Sequence, residues 1–240
     1  MSRSSEPFAN RLLAALAPDD RERLRPHLES IDLPRGTVVL RPHEFIEHVY
    51  FLESGLSSDV AVTEGRPVEC GLVGYEGLVG LPIVLGTDRG IHESVMQVGG
   101  HGHRVASAEL QRVIEESASL RRLLLNFAHV FTCLTAQTAA CNARHAIEQR
   151  LARWLLLSHD RLPDDRVPLT HEYLALMLGV RRAGVTVALH VIEGEKLIRS
   201  GRVQITITDR PGLEARTCTC YAIVRREAAR VLGAAGRLGR

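Results

Sequence analysis

The segment 170–207 leaves this chain little choice of local fold. Counting His171 as the first position, a small residue stands fifth (Ala175), a glycine ninth (Gly179) and an apolar residue fifteenth (Val185). Thr170 can cap a helix that starts at His171, and Glu172 sits where the helix dipole favours an acid. Ala175 has to be small if a second helix crosses close above it. Gly179 can end the first helix in a left-handed conformation that a side chain would penalise. Leu174, Leu178, Val180, Val185 and Ala188 then hold the two helices together. Behind the second helix, about 182–192, Ile198 and then Val203, Ile205 and Ile207 in alternation surround Ser200-Gly201, which reads as a two-stranded hairpin. Spacing, hairpin and local basicity together predict a winged helix-turn-helix, a module that lays its second helix in the major groove of DNA. The candidate contact residues are Arg181, Arg182, Thr186 and His190 on the outer face. Thr170 stands at the start of the first helix, and Arg199 and Arg202 lie on the wing, placed for phosphates.

Charge supports that placement. The chain totals +2, yet residues 1–165 carry 17 Arg against 22 Asp and Glu, a net of −5. Residues 166–216 carry seven Arg and one Lys against five acids, net +3, and residues 217–240 five Arg against one Glu, net +4. An acidic body behind a basic C-terminal third helps orient a polyanion partner onto the basic face.

The rest of the chain divides by hydrophobic period. Residues 8–28 read as one or two short helices, the second started by Pro18-Asp19-Asp20. From 30 to 107, short runs of β character (37–40, 48–52, 58–62, 68–73, 95–98, 103–105) alternate with turns at Gly36, Gly55, Gly65, Gly74 and Gly99-Gly100, which predicts a compact all-β roll. A short helix over 107–116 follows, then a long one capped by Ser119. Within the long helix, Leu120, Leu124, Phe127, Phe131, Leu134, Thr138 and Cys141 recur at alternating spacings of four and three, a heptad seam of the kind that joins two parallel helices. The same stripe could instead pack on the β domain of its own chain. A further helix over 146–158 and a turn at 162–165 lead into the winged module. The expected organisation is α+β: a sensory β-roll domain with N-terminal helices over 1–118, a dimerisation helix over 119–143, and a winged helix-turn-helix domain with a basic tail over 144–240.

That order, together with 169–175 (LTHEYLA), 178–180 (LGV), 193–198 (EGEKLI), 50–55 (YFLESG) and 76–80 (EGLVG), resembles the Crp–Fnr family of bacterial transcription regulators over nearly the whole chain. The resemblance implies a cyclic-nucleotide-binding-like β-roll and a homodimer. It also implies a palindromic double-stranded operator, and RNA polymerase as a further partner. Two departures qualify it. Where the family's cyclic-nucleotide cassette has Gly-Glu for the ribose and Arg-Ser or Arg-Thr for the phosphate, this chain has Gly80-Leu81-Pro82 and His92-Glu93-Ser94. A carboxylate beside a cyclic phosphate repels it, so cyclic AMP is not expected to bind in the usual mode. An effector pocket is placed at Glu76, Gly77, Arg89, His92, Glu93 and Ser94, its ligand unidentified, and no cofactor is expected. In the recognition helix, the family's Arg-Glu and the Arg four residues on become Arg182, Ala183 and Val187, so the family's operator does not carry over. Gly184 in that helix costs about 1 kcal/mol relative to Ala and leaves it pliable.

No phosphate loop, nucleophile elbow or paired metal-ligand helix motif is present, so no enzymatic role and no catalytic residue is expected. Five scattered cysteines (Cys70, Cys133, Cys141, Cys218, Cys220) and no export signal point to reduced thiols in a cytoplasmic protein. No uninterrupted apolar run approaches about 18 residues, so no membrane partner is expected. Cys218-Thr219-Cys220 invites a thiol- or metal-responsive switch, but no four-ligand metal site is expected from two thiols at local spacing. Cys133 and Cys141 read as small buried hydrophobes on the helix seam. His101 and His103 share a strand face without a third ligand nearby, and haem is not expected from them or from His43 and His48. A ligand-independent DNA-binding protein with a purely structural β-roll is the remaining alternative.

Overall fold

The computed structural model describes residues 8–63 and 66–236, so the predicted turn at Gly65, residues 1–7 and the tail end 237–240 lie outside it. Two short helices, α1 (Arg11–Ala14) and α2 (Pro18–Leu24), open the chain. The Asn10 side chain caps α1 by accepting from the backbone N–H groups of Leu12 and Leu13, and Pro18 opens α2 where no N–H is needed. The β-roll follows: β1 (Glu29–Leu33), β2 (Val38–Leu40), β3 (His48–Leu52), β4 (Leu56–Thr63), β5 (Arg66–Val73), β6 (Leu78–Val79), α3 (Leu81–Val84), β7 (Glu93–Val98) and β8 (Gly100–Ala106). Its strands form two antiparallel four-stranded sheets, in the orders β1-β8-β3-β6 and β2-β7-β4-β5. The sheets close around Phe51, Leu52, Leu78, Met96 and Val105, with Leu12, Leu13 and Leu24 of the opening helices in the same core.

Helix α4 (Ser107–Glu116) leads to α5 (Ala118–Arg144). The cap of α5 is Ser117, whose Oγ accepts from the Leu120 N–H at 3.1 Å, and not Ser119, which donates to Asp20 at 2.5 Å. The C-terminal half comprises α6 (Ile147–His159), β9 (Arg166–Val167), α7 (His171–Met177), α8 (Arg182–Gly194), β10 (Ile198–Ser200) and β11 (Ile205–Ile207). Strand β9 adds a third member to the wing sheet, order β10-β11-β9. Val203 lies at the wing tip, 61% exposed, outside the strand alternation expected of it.

After the wing comes α9 (Arg210–Arg216), and the described part of the basic tail, 217–236, holds a further helix, α10 (Thr219–Leu232). Helix α10 runs antiparallel along α5: His129 Nε2 meets Glu227 Oε1 at 2.7 Å and Gln137 Nε2 donates to Cys220 Sγ at 3.1 Å. This settles where the heptad stripe of α5 goes. Leu120, Leu124 and Phe127 enter the β-roll core, Leu134 joins the core of the winged domain, and Cys141 meets Cys218 at 3.5 Å. The stripe is therefore spent within its own chain, the alternative to a dimer seam. By length and composition alone α5 is apolar enough to cross a membrane, but here the β-roll and α10 cover its apolar side. Its outward side carries Leu125, Thr132, Ala136, Ala139 and Ala143, all exposed.

The two halves share packing. Leu56, Val60 and Leu72 of the roll belong to the same core as Leu155, Leu174, Val185, Leu189 and Ile205 of the winged domain. Buried polar groups lock that contact: Trp154 Nε1 donates to Glu69 Oε1 at 2.7 Å, and Arg161 Nε to Glu76 Oε1 at 2.7 Å.

Candidate nucleic-acid interface

The local rules read from the sequence operate as written. Thr170 Oγ1 accepts from the Tyr173 N–H at 3.3 Å, capping α7. Gly179 takes φ +61°, the left-handed conformation that ends the first helix, and a Cβ there would also press on Val68 of β5 at 3.1 Å. Ala175, Val185, Ala188, Leu189 and Ile192 are buried between the two helices and the wing sheet. Gly184 lies against Ile147 of α6, where a Cβ would come within 3.2 Å of Ile147 Cδ1. Its small size thus serves a close helix approach.

Burying that face of α8 turns the other outward. Arg181, Arg182, Ala183, Val187 and His190 are all exposed, Val187 by 60%. Thr186 is half-buried and its hydroxyl donates back to the Arg182 carbonyl at 3.1 Å. Thr170 is likewise half-buried, with its hydroxyl engaged in the cap. Arg199 and Arg202 are exposed on the wing. Between helix and wing lies a cleft of about 470 Å³ lined by Arg182, His190, Glu193, Ser200 and Arg202, among others. Two hydrogen bonds fix its shape: the Ser200 N–H donates to Glu193 Oε1 at 2.8 Å, and His171 Nε2 lies 2.9 Å from Ser200 Oγ. Burial, then the positive charges of Arg182 and His190, push the pKa of His171 down. The cleft thus sets Arg182 and Arg202 beside Glu172 and Glu193, and the two arginines are the groups that can meet a phosphate backbone or a base edge.

The second predicted site is in the β-roll, and the structure redraws it. A cavity of about 260 Å³ is lined by Arg89, His92 and Ser94 as expected, and also by Arg41, Asp59, Gly80 and Phe131 of α5. Three expected residues are elsewhere. Glu76 is turned toward the winged domain by its bond to Arg161. Gly77 packs beneath the Phe127 ring. Glu93 precedes Ser94 on β7, so strand alternation points it to the opposite face. The carboxylate in the chamber is Asp59 instead, which accepts from Ser94 Oγ at 2.5 Å and whose pKa burial pushes up. It comes from β4, which pairs Asp59 with Ser94 in register, a juxtaposition that no sequence spacing reveals.

Of the histidines weighed for haem, His101 Nδ1 lies 2.9 Å from Ser54 Oγ and His103 stacks edge-on against Phe8. The cysteines are brought together further than their spacing allows one to expect. Cys141 and His145, at the end of α5, converge on Cys218 and Cys220 at the start of α10, with all four ligating atoms within 4.8 Å of one another. This is a set of side chains able to hold a cation. Burial, and then the Cys218 hydrogen bond, push the Cys141 thiol up to about 12. Cys133 instead lies beside His129, 3.6 Å away on the same helix.

Residues 149–216 match the Crp-like helix-turn-helix domain. No curated protein matches the chain. Among solved structures, it is similar to a Crp/Fnr-family transcriptional regulator from Eubacterium rectale, at 16% identity and a TM-score of 0.67, covering 88% of this chain and 97% of that one. It is similar to FixK2 from Bradyrhizobium japonicum at 16% identity and a TM-score of 0.69, covering 80% and 98%. It also resembles CLP, the c-di-GMP-responsive global regulator of Xanthomonas campestris, at 18% identity and a TM-score of 0.64, covering 80% and 99%. At these identities the likeness is one of fold.

Proposed function

We infer that this chain, a Crp/Fnr-type transcription regulator by its helix-turn-helix domain and its fold, binds a two-fold symmetric DNA site as a homodimer. The observation that carries the reading is that Arg182, His190 and Arg202 line one cleft between helix and wing, with Arg181 and Arg199 exposed on the same helix start and the same wing. Helix α8 enters the major groove, with Arg182 reading a base edge and the exposed Val187 and Ala183 facing apolar base groups such as thymine methyls. Arg199 and Arg202 on the wing take phosphates. The partner subunit packs on the outward face of α5, where Leu125, Thr132, Ala136, Ala139 and Ala143 keep to heptad spacing. RNA polymerase is the partner through which such a DNA-bound dimer acts on transcription.

Arg182→Ala is expected to weaken specific binding by about 1–3 kcal/mol, measured by fluorescence anisotropy on the selected site. Arg199→Ala or Arg202→Ala is expected to weaken binding to all sequences alike and to lower the salt slope by about one each. Wild-type affinity in the Arg182 variant would remove its base-reading role.

The β-roll chamber is the effector site in this reading. Its lining of Arg41, Arg89 and His92 against Asp59 suits a small ligand carrying both charge signs better than a bare cyclic phosphate. Phe131 reaches the chamber from α5, so an occupant there touches the long helix directly. Saturating cyclic AMP is accordingly expected to leave DNA affinity unchanged; a tenfold tightening on its addition would overturn this account of the chamber.

A further inference from the structure

Two aliphatic cores organise this molecule, and a third buried cluster contains no aliphatic residue at all. It consists of Cys141, Cys218 and Cys220. Burying three thiols against one another offers little packing advantage over leucine or valine, so their chemistry is the better reason for finding them together. The distances are informative. Cys141 Sγ lies 3.5 Å from Cys218 Sγ, and Cys220 Sγ lies 3.6 Å from His145 Nδ1. A disulfide needs about 2.05 Å between sulfurs. In a tetrahedral zinc centre, Zn–S bonds of about 2.3 Å and Zn–N bonds of about 2.0–2.1 Å place neighbouring ligand atoms about 3.5–3.8 Å apart. The two separations fall within that range, and the other four pairs of ligand atoms lie within 4.8 Å of one another.

The surroundings fit a metal centre that carries negative charge. Three thiolates and one imidazole on Zn²⁺ leave a net charge of −1, and such a centre needs a buried positive neighbour. Arg153 of α6 is only 5% exposed, and its Nε has no hydrogen-bond partner among the described residues. It lies close enough to interact electrostatically with all three cysteines. Gln137 Nε2 donates to Cys220 Sγ at 3.1 Å, an outer bond that orients a ligand sulfur. Cys218 is the N-cap residue of the fourteen-residue α10, where the helix dipole favours a thiolate.

We propose that Cys141, His145, Cys218 and Cys220 form a structural zinc site that clamps the start of α10 to the end of α5. Four protein ligands leave no open position for a substrate, so the role is to hold helices. The place is significant. His145 is the C-cap of α5, and α6 of the winged domain starts two residues later. The clamp therefore stands at the joint between the long helix and the DNA-binding half, and it keeps α10 against the α5 stripe.

The test uses the full chain, purified reduced from zinc-supplied medium and dialysed against a weak chelator. About one zinc per chain is expected by elemental analysis. Replacement by Co²⁺ is expected to give the intense visible bands of tetrahedral cobalt, with sulfur-to-cobalt charge transfer in the near ultraviolet. The double variant Cys218→Ser, Cys220→Ser is expected to lose both signals. His145→Ala is expected to keep the thiolate charge transfer while binding zinc at least tenfold more weakly. Should the serine variant fail to fold, Co²⁺ titration of the stripped wild type, followed by displacement with Zn²⁺, decides by itself. Metal that dialyses away from the wild type, a six-coordinate cobalt spectrum, or iron or copper held in zinc's place would overturn the assignment. None of these readouts involves DNA, so the zinc site and the DNA-binding reading stand or fall separately.

Discussion

Arg161→Ala is expected to lower the unfolding free energy by about 3–5 kcal/mol in urea denaturation, the cost of stripping one partner from a buried ion pair. Arg161 is 4% exposed and Glu76 6%. The Arg161 Nε bond to Glu76 is 2.7 Å, and its NH1 donates to the Leu157 carbonyl at 2.7 Å. Removing the guanidinium leaves Glu76 a buried carboxylate with the Gly74 N–H, 3.1 Å away, as a remaining donor. Glu76 sits just beyond β5 and Arg161 just beyond α6, so the pair bolts the β-roll to the winged domain. Removing both charges together, as in Glu76→Leu with Arg161→Met, is expected to cost less than Arg161→Ala alone, because no charge is then stranded. A loss below about 1 kcal/mol for the single variant would mean that water reaches the pair and that it does not hold the halves together.

Glu69→Gln is expected to stabilise the protein above neutral pH. Glu69 is 5% exposed on β5, bonded to Ser58 and to Trp154 of α6. Burial raises its pKa to about 7 from the ordinary 4.5, against the opposing pull of those hydrogen bonds and of Arg153 and Arg161. Between those two values the folded protein holds a proton that the unfolded chain has released. Stability carried by this group is therefore full below pH 4.5 and lost as pH rises to about 7. The shift corresponds to about 3 kcal/mol. Glutamine keeps a neutral amide in the same place and removes the dependence. In denaturant titrations, the gap between variant and wild type should be smallest near pH 4.5, widen to about 3 kcal/mol, and stay constant above about pH 7. Parallel curves across that range would show Glu69 to be solvated. Because Glu69 faces Trp154 across the two halves, its ionisation weakens the same contact that Arg161 secures.

What could be read from the sequence was what is decided locally. Thr170 caps and Gly179 turns because of their own backbone geometry, and short strands between glycines specify a β-roll whatever packs on it. Helix α10 carried a readable signal in the spacing of Cys220, Tyr221, Val224 and Ala228, all buried. The arginines at 225, 226 and 230 obscured it, because five arginines against one acid look like a solvated tail. The heptad stripe of α5 was legible as apolar, but the same period suits a second subunit and intrachain packing alike, and the β-roll took its first half while the winged domain and α10 took the second. The sites at long range were not legible. Asp59 reaches the chamber through the register of β4 with β7, and Cys141 meets Cys218 across 77 residues of sequence. Glu93 was misplaced for a different reason. Strand alternation on β7 points Glu93 away from the face that Ser94 shares with the chamber, a rule available from sequence once the strand is recognised.

The central claim, that a dimer of this chain reads DNA through α8, is tested most directly by selecting bound fragments from random-sequence duplex DNA with the full chain. The account predicts enrichment of a two-fold symmetric sequence whose half-site centres lie about 34–36 Å apart along the duplex, one helical turn. Recovery of DNA without any enriched sequence, or of a single unpaired half-site, would contradict it.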